Sequence, residues 1–349
     1  MSKLVSGHEV VVMSDEWLAR LGKEQQLYKE GMVKLMPDGW LLPAAFTRIA
    51  DKIYNFKLRP SDVILMGMPK SGTTWLQEVL WTMLNNPDLN NDKTDTPTPM
   101  RSPQIEFDAL ADSNAWDKMM VDFGELPQSF QDMAAEFSFK EMKSEDGVFL
   151  KMCEALPDRR VMKTHLPFCL LPPYLLNSAK VVYAVRNPKD VVVSLYHHFK
   201  NFQFHSYTGT FDNFVKLFME DDLLFSPYWP HLRSSWKMKD HPSVHFVFYE
   251  DMKTDTMAEL RKLNEFLGAN LTPQQLSNVV EHTSFSSMKS RLVEFEGKAF
   301  KSDAEKNEGF FRKGVIGDWK NHFSPELEKQ MNHWIENNTA NTNIIFKGN

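Results

Sequence analysis

Short apolar runs alternate with amphipathic segments along most of the chain. Residues 63–66, 181–185 and 244–249 are mostly apolar, are rich in β-branched or aromatic side chains, and predict strands buried on both faces. A shorter strand is predicted at residues 160–163. Between these runs, apolar residues recur at helical spacing, so the chain alternates strand and helix.

Several helix boundaries are marked by specific residues. After the first strand, the apolar positions of residues 73–86 share one face, and Pro87 ends that helix. Asn187 and Pro188 fit the N-cap and first position of a helix that extends to about residue 200. Further boundaries are indicated at Gly268, at Thr272, which starts a capping box, and at Ser324-Pro325.

This order of elements predicts an α/β fold. We expect a parallel sheet, flanked by helices on both faces, in a single domain over residues 1–349. A chain of 349 residues is long enough to bury a full core without disulfides or metals. Ligands of such sheets bind beyond the carboxyl ends of the strands, so the residues just after the predicted strands are the candidates for chemistry.

Composition and charge narrow the class of partner. Lys and Arg total 40 against 46 Asp and Glu, and no basic block indicates nucleic-acid binding. No apolar stretch approaches the roughly 20 residues that span a bilayer, and no signal peptide is evident. The two cysteines, Cys153 and Cys169, exclude a disulfide scaffold and fit a reducing compartment. We therefore expect a cytoplasmic protein without membrane contact.

A glycine loop follows the first predicted strand and precedes a helix, the usual context of a phosphate site. Gly67 and Gly72 have the glycine spacing of a P-loop, but Thr73 stands where a P-loop has lysine, and the lysine comes earlier, at Lys70. The loop therefore fits a phosphate group better than a magnesium nucleotide, and we expect the α/β fold to be P-loop-like. On the glycine spacing alone, an ordinary helix start is an equal alternative.

Three other groups of polar residues lie after predicted strands or near the C-terminus. His165 follows the strand that contains Lys163, and its unperturbed pKa suits a general base, although a structural histidine is the simpler alternative. Arg186 follows a strand, with Ser194 in the next helix, which suits a phosphate clamp or a solvated surface. The residues Arg312, Lys313 and Gly314 suit a phosphate loop or an exposed basic turn.

Six motifs occur along the chain in a fixed order. They are P-K-S-G-T-T-W (69–75), K-T-H-L-P (163–167), V-V-Y-A-V-R-N-P-K-D-V-V-V-S (181–194), F-Y-E-D-M (248–252), H-T-S-F (282–285) and R-K-G-x-x-G-D-W (312–319). As an ordered set they resemble the cytosolic sulfotransferases, over residues 59–334. The resemblance implies transfer of a sulfuryl group from 3′-phosphoadenosine 5′-phosphosulfate (PAPS) to an acceptor hydroxyl or amine, with adenosine 3′,5′-bisphosphate (PAP) as product and no metal.

The resemblance also implies a role for each matching residue. His165 matches the catalytic base, Lys163 a second active-site lysine, and Lys70 the lysine at the 5′-phosphosulfate. The loop at the 5′-phosphate is formed by Ser71, Gly72, Thr73 and Thr74. The 3′-phosphate site comprises Arg186, Ser194, Arg312, Lys313 and Gly314. The adenine side comprises Trp75, Tyr249, Thr283, Ser284 and Phe285. The acceptor is expected to be a small, mostly apolar phenol, alcohol, sterol, retinoid or amine.

The chain departs from the family pattern in two places. Lys70 and His165 are 95 residues apart (165 − 70), which is more than the family pattern leads us to expect. We assign the extra length to an enlarged insertion at about residues 107–158, and predict that it forms a lid or wall at the acceptor site. Pro325 lies in the stretch where the family's dimer motif has valine, so we expect a monomer or a weak homodimer.

Three other functions fit parts of this pattern. A P-loop nucleotide kinase or NTPase would use the same fold, although Thr73 argues against it. A non-enzymatic protein that binds PAP or an apolar ligand would not need Lys70, Lys163 and His165. An enzyme whose sulfated allylic alcohol eliminates sulfate would be a net dehydratase, and the sequence is compatible with that outcome.

Overall fold

The structure is a computed structural model that describes residues 2–20, 30–94, 96–110, 146–201, 205, 207–291 and 312–348. The strands are β1 (Glu9–Val12), β2 (Met32–Met36), β3 (Trp40–Pro43), β4 (Val63–Gly67), β5 (Val161–Thr164), β6 (Lys180–Val185) and β7 (Val244–Phe248). The first helices are α1 (Asp15–Arg20), α2 (Phe46–Tyr54), α3 (Thr73–Asn85), α4 (Thr98–Arg101), α5 (Val148–Ala155) and α6 (Leu175–Ser178).

The second half of the chain is richer in helix. Its helices are α7 (Pro188–Asn201), α8 (Phe211–Met219), α9 (Tyr228–Trp236), α10 (Tyr249–Thr254), α11 (Thr256–Leu267), α12 (Pro273–His282) and α13 (Pro325–Thr339). Residues 285–291 are also helical. Short 3₁₀ turns cover Phe107–Leu110, Phe168–Leu170 and Asp318–Asn321.

The central sheet is parallel, with strand order β5-β4-β6-β7. Strand β4 is buried along its whole length, and successive side chains point to opposite faces. Ile64 and Met66 pack into one apolar cluster, whereas Val63 and Leu65 pack into another that includes side chains of α3 and α11. Because both faces are covered, the strand is continuously apolar, and the predicted α/β fold is confirmed.

Most predicted boundaries agree with the structure to within a residue or two. The capping box at Thr272 is present, and the side chain of Ser324 caps α13. The predicted strand 244–249 is one residue too long, because Tyr249 starts α10. Two helices, α10 and α11, lie between this strand and the predicted boundary at Gly268, and they are divided at Asp255, whose carboxylate accepts a hydrogen bond from the Ala258 N–H (2.9 Å) and starts α11.

An antiparallel sheet in the order β1-β2-β3 lies near the N-terminus and has no counterpart in the sequence analysis. Its strands are short, and β3 is buried at every position rather than alternating, so neither period is evident along the sequence. Leu35 and Leu41 belong to the same apolar cluster as Ile64 of the central sheet. This packing against the rest of the protein stabilises the small sheet.

Candidate active site

Three strands of the central sheet end side by side. Met66 of β4 pairs with Thr164 of β5, and Gly67 pairs with Ala184 of β6. The residues that follow these positions are therefore brought to one edge of the sheet. The glycine loop, His165 and Arg186 meet at this edge, as the sequence predicts.

The glycine loop depends on close backbone approach at its two glycines. A Cβ at Gly67 would lie 2.7 Å from the carbonyl oxygen of Ala184, and a Cβ at Gly72 would lie 2.7 Å from the ring of Tyr249. Gly72 and Lys70 have positive φ values of 90° and 67°. The loop then enters α3 at Thr73, where the first N–H groups of the helix have no intrahelical acceptor. This geometry suits an anion at the start of α3.

The imidazole of His165 is held in one tautomer. Its Nδ1 lies 2.5 Å from the carbonyl oxygen of Gly67, which can only accept, so Nδ1 carries the proton. Burial, reinforced by the positive charge of Lys163, lowers the pKa of His165 well below its usual value, so the ring is neutral near pH 7. In this neutral tautomer Nε2 keeps its lone pair and is available to accept a proton.

A buried carboxylate fixes the backbone next to His165. Glu106 accepts hydrogen bonds from the His165 N–H (2.7 Å), the Thr164 hydroxyl (2.9 Å) and the Gln104 side chain (2.8 Å). Burial raises the pKa of Glu106, while these donors oppose the rise. Sequence analysis missed Glu106, although a carboxylate between the apolar residues Ile105 and Phe107 is a signal for a buried polar role.

Two more buried side chains, His231 and Tyr183, fix the peptide group that follows His165. Nε2 of His231 lies 3.1 Å from the His165 carbonyl oxygen and therefore donates to it. The Tyr183 hydroxyl lies 2.7 Å from His231 Nδ1, and burial lowers the pKa of His231 to about 4. In the neutral ring, Nδ1 accepts from Tyr183, so His231 is also confined to one tautomer. Nothing in the local sequence around Tyr183 or His231 indicates this pairing.

Arg186 connects the glycine loop to the C-terminal motif. One terminal nitrogen, Nη1, donates to the Lys70 carbonyl (3.2 Å), and the other, Nη2, donates to the Val315 carbonyl (3.3 Å). The guanidinium also lies over the Tyr249 ring, 4.2 Å from its centroid. Its Nε is buried and has no hydrogen-bond partner among the described residues. Two of the five guanidinium N–H groups are thus used to fix the arginine in place, and the buried Nε–H is among those left for a ligand.

The residues of the C-terminal motif, 312–319, which we call the Arg312 loop, are held by a carboxylate and face an aromatic ring. Asp318 lies 2.5 Å from Arg312 and 2.9 Å from Lys313. Nη1 of Arg312 is buried without a partner among the described residues. Gly314 has a φ of 62°, and a Cβ there would lie 2.7 Å from the Phe285 ring. Arg312, Gly314 and Phe285, which the sequence analysis assigned to one nucleotide site, therefore lie together.

The remaining predicted residues have more varied surroundings. Trp75 packs edge-on against Tyr249 with ring centroids 5.9 Å apart. The Thr283 hydroxyl donates to the Val279 carbonyl (2.8 Å), and the Ser284 hydroxyl accepts from the Ser287 N–H (3.3 Å). Both hydroxyls therefore serve local backbone structure here, and their contact with a nucleotide stays a prediction.

Ser71, Thr74 and Ser194 complete the predicted site. Ser71 is buried in the glycine loop, and Thr74 is half-buried in the first turn of α3. Ser194 is half-buried on α7, four residues after Asp190, so the two share a helix face. Asp190 accepts hydrogen bonds from the N–H groups of Gly317 (2.7 Å) and Trp319 (3.1 Å). Ser194 thus faces the same side of α7 as the Arg312 loop.

Comparison with known proteins identifies the family. Residues 60–343 match the family model described as the sulfotransferase domain. The chain belongs to the sulfotransferase family. Because that match covers most of the chain, the resemblance carried by the six motifs is confirmed, and the protein is an enzyme of the transferase class.

Individual relatives show how far the similarity extends. Luciferin sulfotransferase of Photinus pyralis is 30% identical over 308 residues, which cover 86% of this chain and 77% of that protein. Sulfotransferase 1E1 of Homo sapiens is 30% identical over 314 residues, covering 88% and 94%. A solved structure of retinol dehydratase with retinol and PAP matches with a TM-score of 0.80 and 28% identity, covering 97% of this chain and 98% of that one.

Lys163, which the sequence analysis assigned to the active site of the sulfotransferase, has an unusual pKa. Burial lowers the pKa of Lys163 to about 8, although the charge of Glu106 acts in the opposite direction. Lys163 is therefore charged below about pH 8 and becomes neutral above it. The described helices include none with the length and apolar character of a membrane span. The cytoplasmic location and the oligomeric state stay predictions.

We expect the alkaline limb of the pH profile of kcat/KM to follow the loss of charge on Lys163. With an alcohol acceptor that does not ionise in this range, kcat/KM for the donor should fall as pH rises through about 8, because the predicted second active-site lysine loses its charge. In Lys163→Arg, whose guanidinium stays charged, this limb should disappear. A wild-type profile that stays flat to about pH 9.5, or an unchanged limb in Lys163→Arg, would contradict this role.

Proposed function

We propose that this enzyme moves a sulfuryl group from PAPS to the hydroxyl (or amine) of a small, mostly apolar acceptor, with His165 as the general base. The observation that carries the proposal is the tautomer of His165, whose Nδ1 donates to Gly67 while Nε2 keeps its lone pair. That lone pair lies on a residue adjoining the glycine loop and Lys163. A base in this place can take the proton of an acceptor hydroxyl.

The residues at the sheet edge fit the two phosphate groups of PAPS. The start of α3 and Lys70 would hold the 5′-phosphosulfate, since backbone N–H groups and a cation favour an anion there. Arg186 and Arg312 would hold the 3′-phosphate, since each is anchored by other partners and keeps a buried nitrogen without one among the described residues. Trp75 and Tyr249 offer aromatic surfaces to the adenine.

PAPS, when bound, supplies an activated sulfuryl group on a phosphate leaving group. The lysines Lys70 and Lys163 stabilise negative charge that develops on the leaving side, and the glycine loop keeps that side oriented. His165 accepts the acceptor proton at Nε2. Glu106 and His231 hold the peptide groups before and after His165, so the imidazole needs little reorganisation during the reaction.

The same geometry argues against a nucleotide kinase or NTPase. Thr73 occupies the place of the P-loop lysine and is buried. A P-loop NTPase needs a lysine at that position to reach the β- and γ-phosphates of its nucleotide. We propose that the reaction requires no metal, and assays with and without Mg²⁺ test this.

A net dehydratase is the second candidate function. The retinol dehydratase structures match over 97% of this chain and 98% of theirs, with complexes that contain retinol or androsterone together with PAP. With an allylic alcohol as acceptor, an active site of this kind can yield a sulfate ester that loses sulfate together with a proton from carbon, which gives a diene. The chemistry of the acceptor, rather than the donor site, would then decide the product.

The enlarged insertion is part of the same proposal. Of residues 107–158, the stretch 111–145 lies outside the described residues. Its described flanks are joined by Asp108, which accepts hydrogen bonds from the N–H groups of Val148 and Phe149 (both 2.9 Å). Asp108 lies two residues after Glu106, which contacts His165. We propose that the segment borders the acceptor site of a single domain over residues 1–349.

An acceptor panel with labelled donor tests the function. Purified enzyme is incubated with PAPS labelled in its sulfate and with phenols, sterols, retinoids and amines, with and without Mg²⁺. The proposal expects label in an organic sulfate and PAP in equal amount, or, with an allylic alcohol, free labelled sulfate and a dehydrated product. Consumption of ATP in place of PAPS would contradict the proposal. So would a panel in which no acceptor increases the loss of labelled sulfate from PAPS.

A further inference from the structure

A buried carboxylate lies at the centre of the Arg312 loop. Asp318 is 4% exposed, and its two oxygens contact four polar side chains. Arg312 lies at 2.5 Å, Lys313 at 2.9 Å, Asn321 at 3.0 Å and His322 at 3.2 Å. Although burial raises the pKa of Asp318, hydrogen bonds from Lys313 and Arg312 hold it below its usual value. The carboxylate is therefore charged at neutral pH.

The backbone around Asp318 is anchored independently of these side chains. Asp190 on α7 accepts hydrogen bonds from Gly317 and Trp319, the residues on either side of Asp318. Trp319 is also buried, and Lys189 lies over its ring at 3.5 Å from the centroid. Asp318 is thus a fixed point on which flexible cationic side chains can be ordered.

The ion pair with Asp318 engages only one of the two terminal nitrogens of Arg312. Nη2 contacts Asp318, whereas Nη1 is buried and has no hydrogen-bond partner among the described residues. Lys313 is paired to the other oxygen of the same carboxylate. With two cations and one carboxylate, the group has a net charge of 2 − 1 = +1 when His322 is neutral. It therefore remains attractive to an anion while mutual repulsion between the cations is reduced.

We propose that Asp318 is a positioning residue for donor recognition, which orders Arg312 and Lys313 so that they bind the 3′-phosphate. It does not touch the nucleotide itself. Its effect would be confined to ligands that have a 3′-phosphate, and it would account for part of the preference of the enzyme for PAPS over donors without that group. This inference rests on the proposed function, in which Arg312 and Lys313 contact the donor.

A matched pair of ligands tests the proposal. PAP and adenosine 5′-monophosphate differ only in the 3′-phosphate, and calorimetry measures the affinity of each for wild type and for Asp318→Asn. We expect the variant to bind PAP roughly tenfold more weakly. Without the charge of Asp318, Arg312 and Lys313 are no longer ordered, and a charge-assisted contact between them and the 3′-phosphate is worth about that factor in affinity. Adenosine 5′-monophosphate should bind within about twofold of wild type. Asp240→Asn, which changes an exposed carboxylate paired with Lys239, is the control variant.

Each other outcome overturns the proposal. An equal loss of affinity for both ligands would assign Asp318 a general structural role, and tighter PAP binding would mean that it competes with the phosphate. If Asp318→Asn does not fold, Asp318→Glu is used instead, because it retains the charge but displaces it. The proposal again requires that only the affinity for PAP falls. A wild-type enzyme that binds both ligands equally would instead refute the proposed use of PAPS, which separates the two failures.

Discussion

Replacing His165 by alanine is expected to lower turnover by about 10²–10⁴-fold, the usual cost of losing a general base. PAP affinity should stay close to that of wild type, because donor recognition is assigned to other residues, chiefly Arg186 and Arg312. Steady-state assays at neutral pH give the rate, and calorimetry with PAP gives the affinity. A near-normal rate in a folded variant would remove His165 from the mechanism.

The control for this variant is another histidine-to-alanine change. His333 is exposed on α13, where its ring contacts the Asn337 side chain. His333→Ala should have wild-type turnover and wild-type PAP affinity. Thermal unfolding of both variants shows whether the loss at His165 comes from the fold, since the His165 side chain also donates to the Gly67 carbonyl.

Replacing Arg186 by alanine is expected to remove most of the preference for a 3′-phosphorylated donor. The side chain contributes charge-assisted hydrogen bonds, each worth about 1.5–3 kcal/mol, so kcat/KM for PAPS should fall roughly 10–100-fold. Adenosine 5′-phosphosulfate, which lacks the 3′-phosphate, should be affected much less. Comparing kcat/KM for the two donors in wild type and variant measures this difference.

Two further variants make the Arg186 result specific. Arg186→Lys keeps the charge but not the two fixed contacts to the Lys70 and Val315 carbonyls, so an intermediate preference is expected. Arg233→Ala removes an exposed arginine that contacts the Asn338 side chain and should change neither donor. If Arg186→Ala lowers kcat/KM equally for both donors, the assignment of Arg186 to the 3′-phosphate is wrong.

The central sheet and its edge were predictable because their signals are local. Strand β4 is continuously apolar since both of its faces are covered, and Gly67 and Gly72 are required by close contacts with Ala184 and Tyr249. Helix α7 starts at the Asn187-Pro188 pair, which is a local signal as well. Parallel strands then place the residues that follow them at one edge, which explains why Gly67, His165 and Arg186 meet.

The supporting residues depend on contacts between distant parts of the chain. Glu106 accepts from the N–H of His165, 59 residues later, and His231 donates to the C=O of His165 from 66 residues beyond it. No period or spacing in the sequence expresses such a pairing. The N-terminal sheet was missed because its short strands show neither period, and its contacts are also distant in sequence: Lys34 in its central strand is paired with Asp222, 188 residues away. The predicted lid at residues 107–158 lies largely outside the described residues.

Single-turnover transfer tests most directly whether His165 moves the acceptor proton. Wild-type enzyme and His165→Ala, each in molar excess over labelled PAPS and well above its dissociation constant, are loaded with this donor, mixed with excess acceptor, and quenched at intervals to follow label leaving the donor. Because product release is excluded, the rate reports the chemical step. We predict equal donor loading and a rate that is about 10²–10⁴-fold lower in the variant. Equal rates of label transfer in the two proteins would contradict the account.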